Sequence, residues 1–198
     1  MSEERIFRGH GDYRNLLSYR RAEVIYLATY CFVERFLEKS DRTSDQMIQA
    51  ARSGKQNIVE GSLASAGSRE SEIFLTNVAY ASFGELLEDY LDYLKVRKLR
   101  IWEAESEKVK FVRGLCRVGD GGYEEYRRFI ESRPAEVVAN IVVTLIHQVQ
   151  LLLEHQIDAL EKKFLKEGGV KERMTKLRIA AREEQRRKKD NGKDIEED

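Results

Sequence analysis

The stretch Leu75-Thr-Asn-Val-Ala-Tyr80-Ala-Ser-Phe-Gly-Glu85-Leu-Leu-Glu-Asp-Tyr90-Leu-Asp-Tyr-Leu94 carries two apolar stripes at helical spacing. One stripe is Leu75, Val78, Ala79, Ser82 and Leu86. The other is Tyr80, Phe83, Leu87, Leu91 and Leu94. At 100° per residue their centres lie roughly 120° apart. Glu85, Glu88, Asp89, Asp92 and Lys95 keep the remaining face polar. This periodicity predicts a helix, placed at residues 69–98. One stripe suffices to pack such a helix into a monomeric bundle. The second is expected to meet either the segment 100–133 or a second subunit. That segment is short and highly charged, which favours the subunit and makes Tyr80, Phe83, Leu87, Leu91 and Leu94 the expected oligomer interface.

The flanking sequence is helical as well. A first helix is read at residues 13–38, and Ser40, Asp41 and Thr43 supply turn and cap chemistry after it. A second is read at 44–60, with Gly61 near its C-terminal stop. Its seam is Met47, Ala51, Gly54, Ile58 and Gly61, mostly small residues at steps of three and four. A glycine inside a helix costs about 1 kcal/mol relative to alanine, so Gly54 points to a close-approaching neighbour. Short helices are expected at 103–117 and 123–132, separated by the turn Val118-Gly-Asp-Gly-Gly122. Pro134 suits the start of a fourth long helix reaching residue 166, whose stripe includes Val138, Ile141, Val142, Leu145, Val149, Leu152 and Ile157. Gly168-Gly169 ends it. The expected fold is all-α: an up-down four-helix bundle (13–167) with a helical insertion at 100–133 between the third and fourth helices. A basic helical suffix (168–189) follows it, and an N-terminal arm (1–12) and an acidic, disordered tail (190–198) complete the chain.

Composition limits the function classes. The chain has 198 residues, 41% hydrophobic and 35% charged, with a formal net charge of zero. A zero balance argues against a uniformly basic nucleic-acid binder but hides local asymmetry. Two cysteines cannot build a disulfide scaffold. The residues from Pro134 to Leu153 include Glu136, Asn140, Thr144, His147, Gln148 and Gln150, too many polar groups for a membrane span. With no apolar signal core at the start, the expected location is cytoplasmic.

Catalytic and metal chemistry find little support. Paired Glu-x-x-His motifs, as in di-iron bundles, do not occur, and His147 and His155 stand eight apart with no ligand cluster at metal spacing. The glycines at 119–122 lack the Lys-Ser/Thr of a phosphate loop. No serine, cysteine and histidine arrangement indicates a nucleophile. The chain is therefore read as a non-enzyme, with no catalytic residues, no metal and no cofactor. Asn57 and Glu60 flank the small seam of the second helix, and Arg69 starts the third. They are expected to clamp the turn between the two helices by hydrogen bonds. Trp102, the only tryptophan, is expected to anchor the insertion, with stacking on a base as the alternative.

The segment Gln46-Met-Ile-Gln-Ala-Ala-Arg52-Ser-Gly-Lys-Gln-Asn57-Ile-Val-Glu60-Gly61 is followed by Ser68-Arg69-Glu-Ser-Glu-Ile-Phe74 and by Ala79-Tyr-Ala-Ser82-Phe-Gly-Glu85-Leu86. This pattern resembles the bacterial four-helix bundle family of ribosomal-RNA intervening-sequence proteins, which includes the accessory variability determinants of diversity-generating retroelements. The stretch Gly168-Gly169-Val-Lys-Glu-Arg-Met174 is similar to the suffix segment of one branch of that family. The resemblance implies a structural motif at Gly54, Asn57, Glu60, Gly61 and Arg69, and no known catalytic activity. It also implies a ring-like homo-oligomer, often a pentamer, and in some members binding of nucleic acid or a reverse transcriptase. This chain departs from the pattern in its neutral balance and its long insertion.

Charge is unevenly spread. From Lys162 to Lys189 there are 12 basic and 4 acidic residues, a local charge of +8. Lys171, Arg173, Lys176, Arg178, Arg182, Arg186, Arg187, Lys188 and Lys189 are the candidate contacts to a phosphate backbone. The same residues also suit a solvated extension shielded by the acidic tail. Val170, Met174, Leu177 and Ala181 form an apolar stripe on the suffix that would dock on a helix. The expectation is an oligomeric scaffold or adaptor for RNA, DNA or a nucleic-acid-handling protein such as a reverse transcriptase. The alternative is a purely protein-binding structural module.

Overall fold

Side-chain caps set where several of the helices begin. The structure is a computed structural model and describes residues 11–38, 40–118 and 121–193, the side chains of residues 188–193 excepted. Asp12 caps a 3-10 turn at Tyr13–Asn15, accepting from the Arg14 N–H, and α1 (Leu17–Phe36) follows. Asp41 caps α2 (Arg42–Ala64), accepting from the Thr43 N–H at 2.9 Å. Ser68 caps α3 (Arg69–Val96), accepting from the Ser71 N–H at 3.1 Å. Ser106 caps α4 (Glu107–Leu115) in the same way. The remaining helices are α5 (Tyr123–Ser132), α6 (Ala135–Glu167) and α7 (Val170–Lys193). Each side-chain cap satisfies an N–H that the first helical turn leaves without an acceptor. The chain is all-α, with no strand among the described residues.

Several boundaries differ from the sequence expectation. Gly61 does not stop α2, which runs on to Ala64. It is buried, and a Cβ there would lie 3.3 Å from Leu75 Cβ, so it serves close helix packing rather than termination. The helix expected at 103–117 is confined to Glu107–Leu115, because the cap is Ser106. Gly168 does end α6, at φ 70°, a conformation that favours glycine. α7 continues through residues 190–193, so the tail expected at 190–198 does not begin at 190. Residues 194–198, like 1–10 of the expected arm, lie outside the described residues.

The four long helices close a ring of neighbours. α1 packs on α2 and α6, and α3 packs on the same two helices. α3 therefore needs two apolar stripes, one for each neighbour. Phe83 and Leu94 are fully buried in the chain's own core, which removes them from the expected oligomer interface. Phe83 reaches α2 at Gly54, where an added Cβ would lie 2.7 Å from its ring. Tyr80, Leu87 and Leu91 are half-buried against the core. The Tyr80 hydroxyl donates to Glu154 of α6 at 2.9 Å. The insertion does not lie on this stripe either: α4 packs on α6 and α5 packs on α1.

Aromatic packing joins α3 to α1. Phe32 of α1 stands edge-on to Tyr90 and Tyr93 with ring centroids 5.0 and 4.9 Å apart, within the favoured range for such pairs. The buried Tyr90 hydroxyl donates to Thr29 Oγ1 at 3.2 Å. Burial drives its pKa far above the ordinary tyrosine value. α6 is enclosed along its first half, with every residue from Val138 to Ile146 buried. The most apolar 18-residue window of the helical stretch Ala135–Arg187 has a mean hydropathy of 1.6, long and apolar enough for a membrane span by composition, yet 61% of it is buried inside the fold.

The insertion is fastened by two buried polar residues, Asn140 and Arg21, and by the exposed Arg35. Asn140 on α6 accepts from the Trp102 N–H and donates to the Arg100 and Glu136 carbonyls, each at 2.8 Å. Arg21 on α1 donates to the Tyr126 hydroxyl at 2.8 Å and to the Gly121 carbonyl at 3.4 Å. Arg35 donates to the Ile130 carbonyl, and to the Arg133 carbonyl at 3.1 Å. Trp102 anchors the segment chiefly through its backbone.

Candidate functional site

Two surfaces carry the residues that the sequence singles out. The first is an open polar groove of about 650 Å³ between α2 and α3. Gln46, Gln49, Arg52, Gln56, Asn57 and Glu60 line one wall, and Glu85 and Asp89 the other. Helical spacing puts the α2 residues on one outward face. Asn57 donates to the Ser53 carbonyl at 2.9 Å and to Ser53 Oγ at 3.2 Å. Ser53 Oγ in turn meets Ser82 Oγ of α3 at 3.0 Å. Arg69 does not join them. It is buried at the start of α3 and pairs with Glu167 at the end of α6, 3.1 Å away. The expected clamp of Asn57, Glu60 and Arg69 is therefore absent. Asn57 bonds within its own helix, Glu60 is exposed, and Arg69 ties α3 to α6. A pairing across 98 positions leaves no local pattern to find.

The groove is acidic, with Glu60, Glu85 and Asp89 against the single charge of Arg52. Burial, then repulsion from Asp92 and Glu85, pushes the Asp89 carboxyl above the usual carboxylate range. Its charged form is thus disfavoured by folding. The carboxylate form of Asp89 therefore opposes the fold. As pH falls through its raised native value, protonation relieves that opposition. Asp89→Asn is expected to raise the melting temperature at pH 7, with the gap closing below about pH 4, where the unfolded carboxyl also protonates. Thermal circular dichroism at several pH values checks this. An equal effect at every pH contradicts it.

The second surface is α7. Gly169, buried between the Glu70 carboxylate and the Phe164 ring, holds its start. Beyond this junction α7 packs extensively on no other helix. Lys171, Arg178, Arg182 and Arg186 share one helical face, within an arc of about 80°. All four are exposed and make no ion pair with a described residue. Lys176 and Arg187 are exposed on another face, and Arg173 is half-buried. The side chains of Lys188 and Lys189 lie outside the described residues. The apolar stripe Val170, Met174, Leu177 and Ala181 runs beside the basic one, with Met174 45% exposed.

The groove and α7 differ in what they can bind. The groove's net negative charge repels phosphate, whereas α7 presents four cations with no ion pair among the described residues along about 22 Å of helix. Among the described residues no group of three or more His, Cys, Asp and Glu could hold a metal ion. Burial pushes the Cys31 thiol up, the reverse of what a nucleophile needs. His147 and His155 occupy exposed positions on α6. Comparison with known protein families, with curated proteins and with solved structures finds no match to this chain.

Proposed function

We propose that this chain is a non-enzymatic, homo-oligomeric scaffold built on an up-down four-helix bundle, which contacts nucleic acid through α7. The observation that carries this reading is the row Lys171, Arg178, Arg182 and Arg186, exposed and without an ion pair among the described residues, on a helix that the bundle does not cover. Such a row pairs with successive backbone phosphates and releases their counterions. A long helix that is polar nearly all round and unpacked gains no stability from a core, so a partner is the natural source of its order. The likeness of α2 and α3 to the intervening-sequence family supports the oligomer and extends the partners to a reverse transcriptase. What remains exposed between α3 and α6, at Tyr80, Leu87, Leu91 and Leu151, is the proposed contact between subunits.

Fluorescence anisotropy with a labelled single-stranded RNA tests the reading. With four phosphate contacts, log K is expected to fall with log salt at a slope of about −3. Changing Lys171, Arg178, Arg182 and Arg186 together to Gln is expected to weaken binding at least tenfold and flatten that slope. Undiminished binding would reject the role of α7. Light scattering on the same samples measures the assembly, expected at a whole multiple of 23.1 kDa. The exposed Met174 favours a second reading, in which the apolar stripe of α7 docks on a protein. In that case Met174→Gln with Leu177→Gln changes the assembly mass, while the four cation changes leave it unaltered.

A further inference from the structure

The insertion leaves an apolar cleft that neither the bundle nor α7 uses. Because α4 leans on α6 and α5 leans on α1, the two short helices do not close over the surface between them. The result is an open groove of about 380 Å³, within the size range of small-molecule sites. Trp102, Phe111, Phe129, Val137 and Ile141 form its walls. Phe111 meets Phe129 edge-on with ring centroids 5.5 Å apart, yet Phe111 remains 52% exposed. An aromatic wall left open to water is the kind of surface that binds apolar ligands.

The polar groups at this groove are few and biased in sign. Lys108 lies over the Trp102 ring, its Nζ 5.3 Å from the centroid. Arg133 also lines the groove, and its side chain makes no ion pair with a described residue. The single carboxylate on the rim, Glu107, is bridged to Lys110 at 3.0 Å. Trp102 Nε1 is buried with no acceptor, although a buried indole N–H ordinarily finds one. The groove thus combines apolar aromatic walls with two cations that no described residue pairs.

We propose that this groove binds a small aromatic acid: a flat apolar body packed between Trp102, Phe111 and Phe129, with one anionic group held by Lys108 and Arg133. The site is separate from α7 and from the α2–α3 groove, and it stands without the nucleic-acid reading.

Trp102 is the sole tryptophan, so its emission reports directly on the site. The probe pair is 8-anilinonaphthalene-1-sulfonate and its neutral parent, N-phenyl-1-naphthylamine, added to the full-length protein. The anionic probe is expected to bind one per chain, with a Kd of tens of micromolar, as the efficiency of drug-sized ligands allows for about 20 heavy atoms. It should quench Trp102 by energy transfer. Lys108→Glu and Arg133→Glu should each weaken the anion at least fivefold and leave the neutral probe within twofold. Phe111→Ala should weaken both. Circular dichroism confirms that each variant keeps its helix content. Three results overturn the proposal: no saturable quenching of Trp102, equal loss of both probes in the two charge variants, or self-association abolished by Phe111→Ala. The last gives the groove to a second copy of the chain.

Discussion

Phe83→Ala is expected to destabilise the protein by about 3–5 kcal/mol, the range for removing a fully buried aromatic ring. Phe83 has no exposed surface and fills the contact between α2 and α3. A loss of that size is a fifth or more of the total stability of an ordinary domain, about 5–15 kcal/mol. The informative experiment pairs it with Gly54. In the intact protein, Gly54→Ala places a methyl 2.7 Å from the Phe83 ring, and overpacking of that kind costs about 1–3 kcal/mol. It more than offsets the helix propensity gained by alanine, about 1 kcal/mol. With Phe83 already cut to alanine the clash is gone, and Gly54→Ala should become stabilising by about that propensity gain. Urea denaturation of the four proteins measures this coupling. If the sign of the Gly54→Ala effect does not reverse, close approach is not the reason for the glycine.

Asn140→Ala is expected to cost about 2–3 kcal/mol through a different mechanism. Asn140 is 1% exposed and makes three hydrogen bonds, two of them to the segment entering the insertion. Alanine leaves the Trp102 N–H and the Arg100 carbonyl without that partner, and each buried polar group left unmade carries a penalty of about 1–3 kcal/mol. The loss should be accompanied by a red shift of Trp102 emission as the segment loosens. Asn140→Asp is a sharp control. A carboxylate can still accept from the Trp102 N–H, but it faces the Arg100 and Glu136 carbonyls with no proton to donate. It should fare no better than alanine at pH 7. Full stability in the aspartate variant would show that the two donated bonds contribute nothing.

Local sequence was enough to establish the helices, because period, caps and glycine stops act over a few residues. Asp41, Ser68 and Gly168 each mark a boundary for a reason that lies within one turn. Gly61 misled because the same residue type serves two purposes. A glycine ends a helix when its φ turns positive and admits a neighbour when it stays helical, and only the position of Leu75 separates the two cases. The second stripe of α3 misled in a similar way. Counting one stripe per packed helix overlooks that a helix in a ring touches two neighbours, here α2 and α6.

The all-helical class, the four long segments, the insertion and the basic suffix all followed from the chain read alone, since they depend on periodicity and charge. Tertiary structure decided everything that depends on pairing across distance. It sent Arg69 to Glu167 rather than to Asn57, enclosed Phe83 and Leu94, and placed Asn140 beneath Trp102. It also set α4 and α5 on different helices, leaving an aromatic cleft between them. Periodicity gives the direction in which a side chain leaves its helix, but it carries no information about which of several apolar faces arrives to meet it.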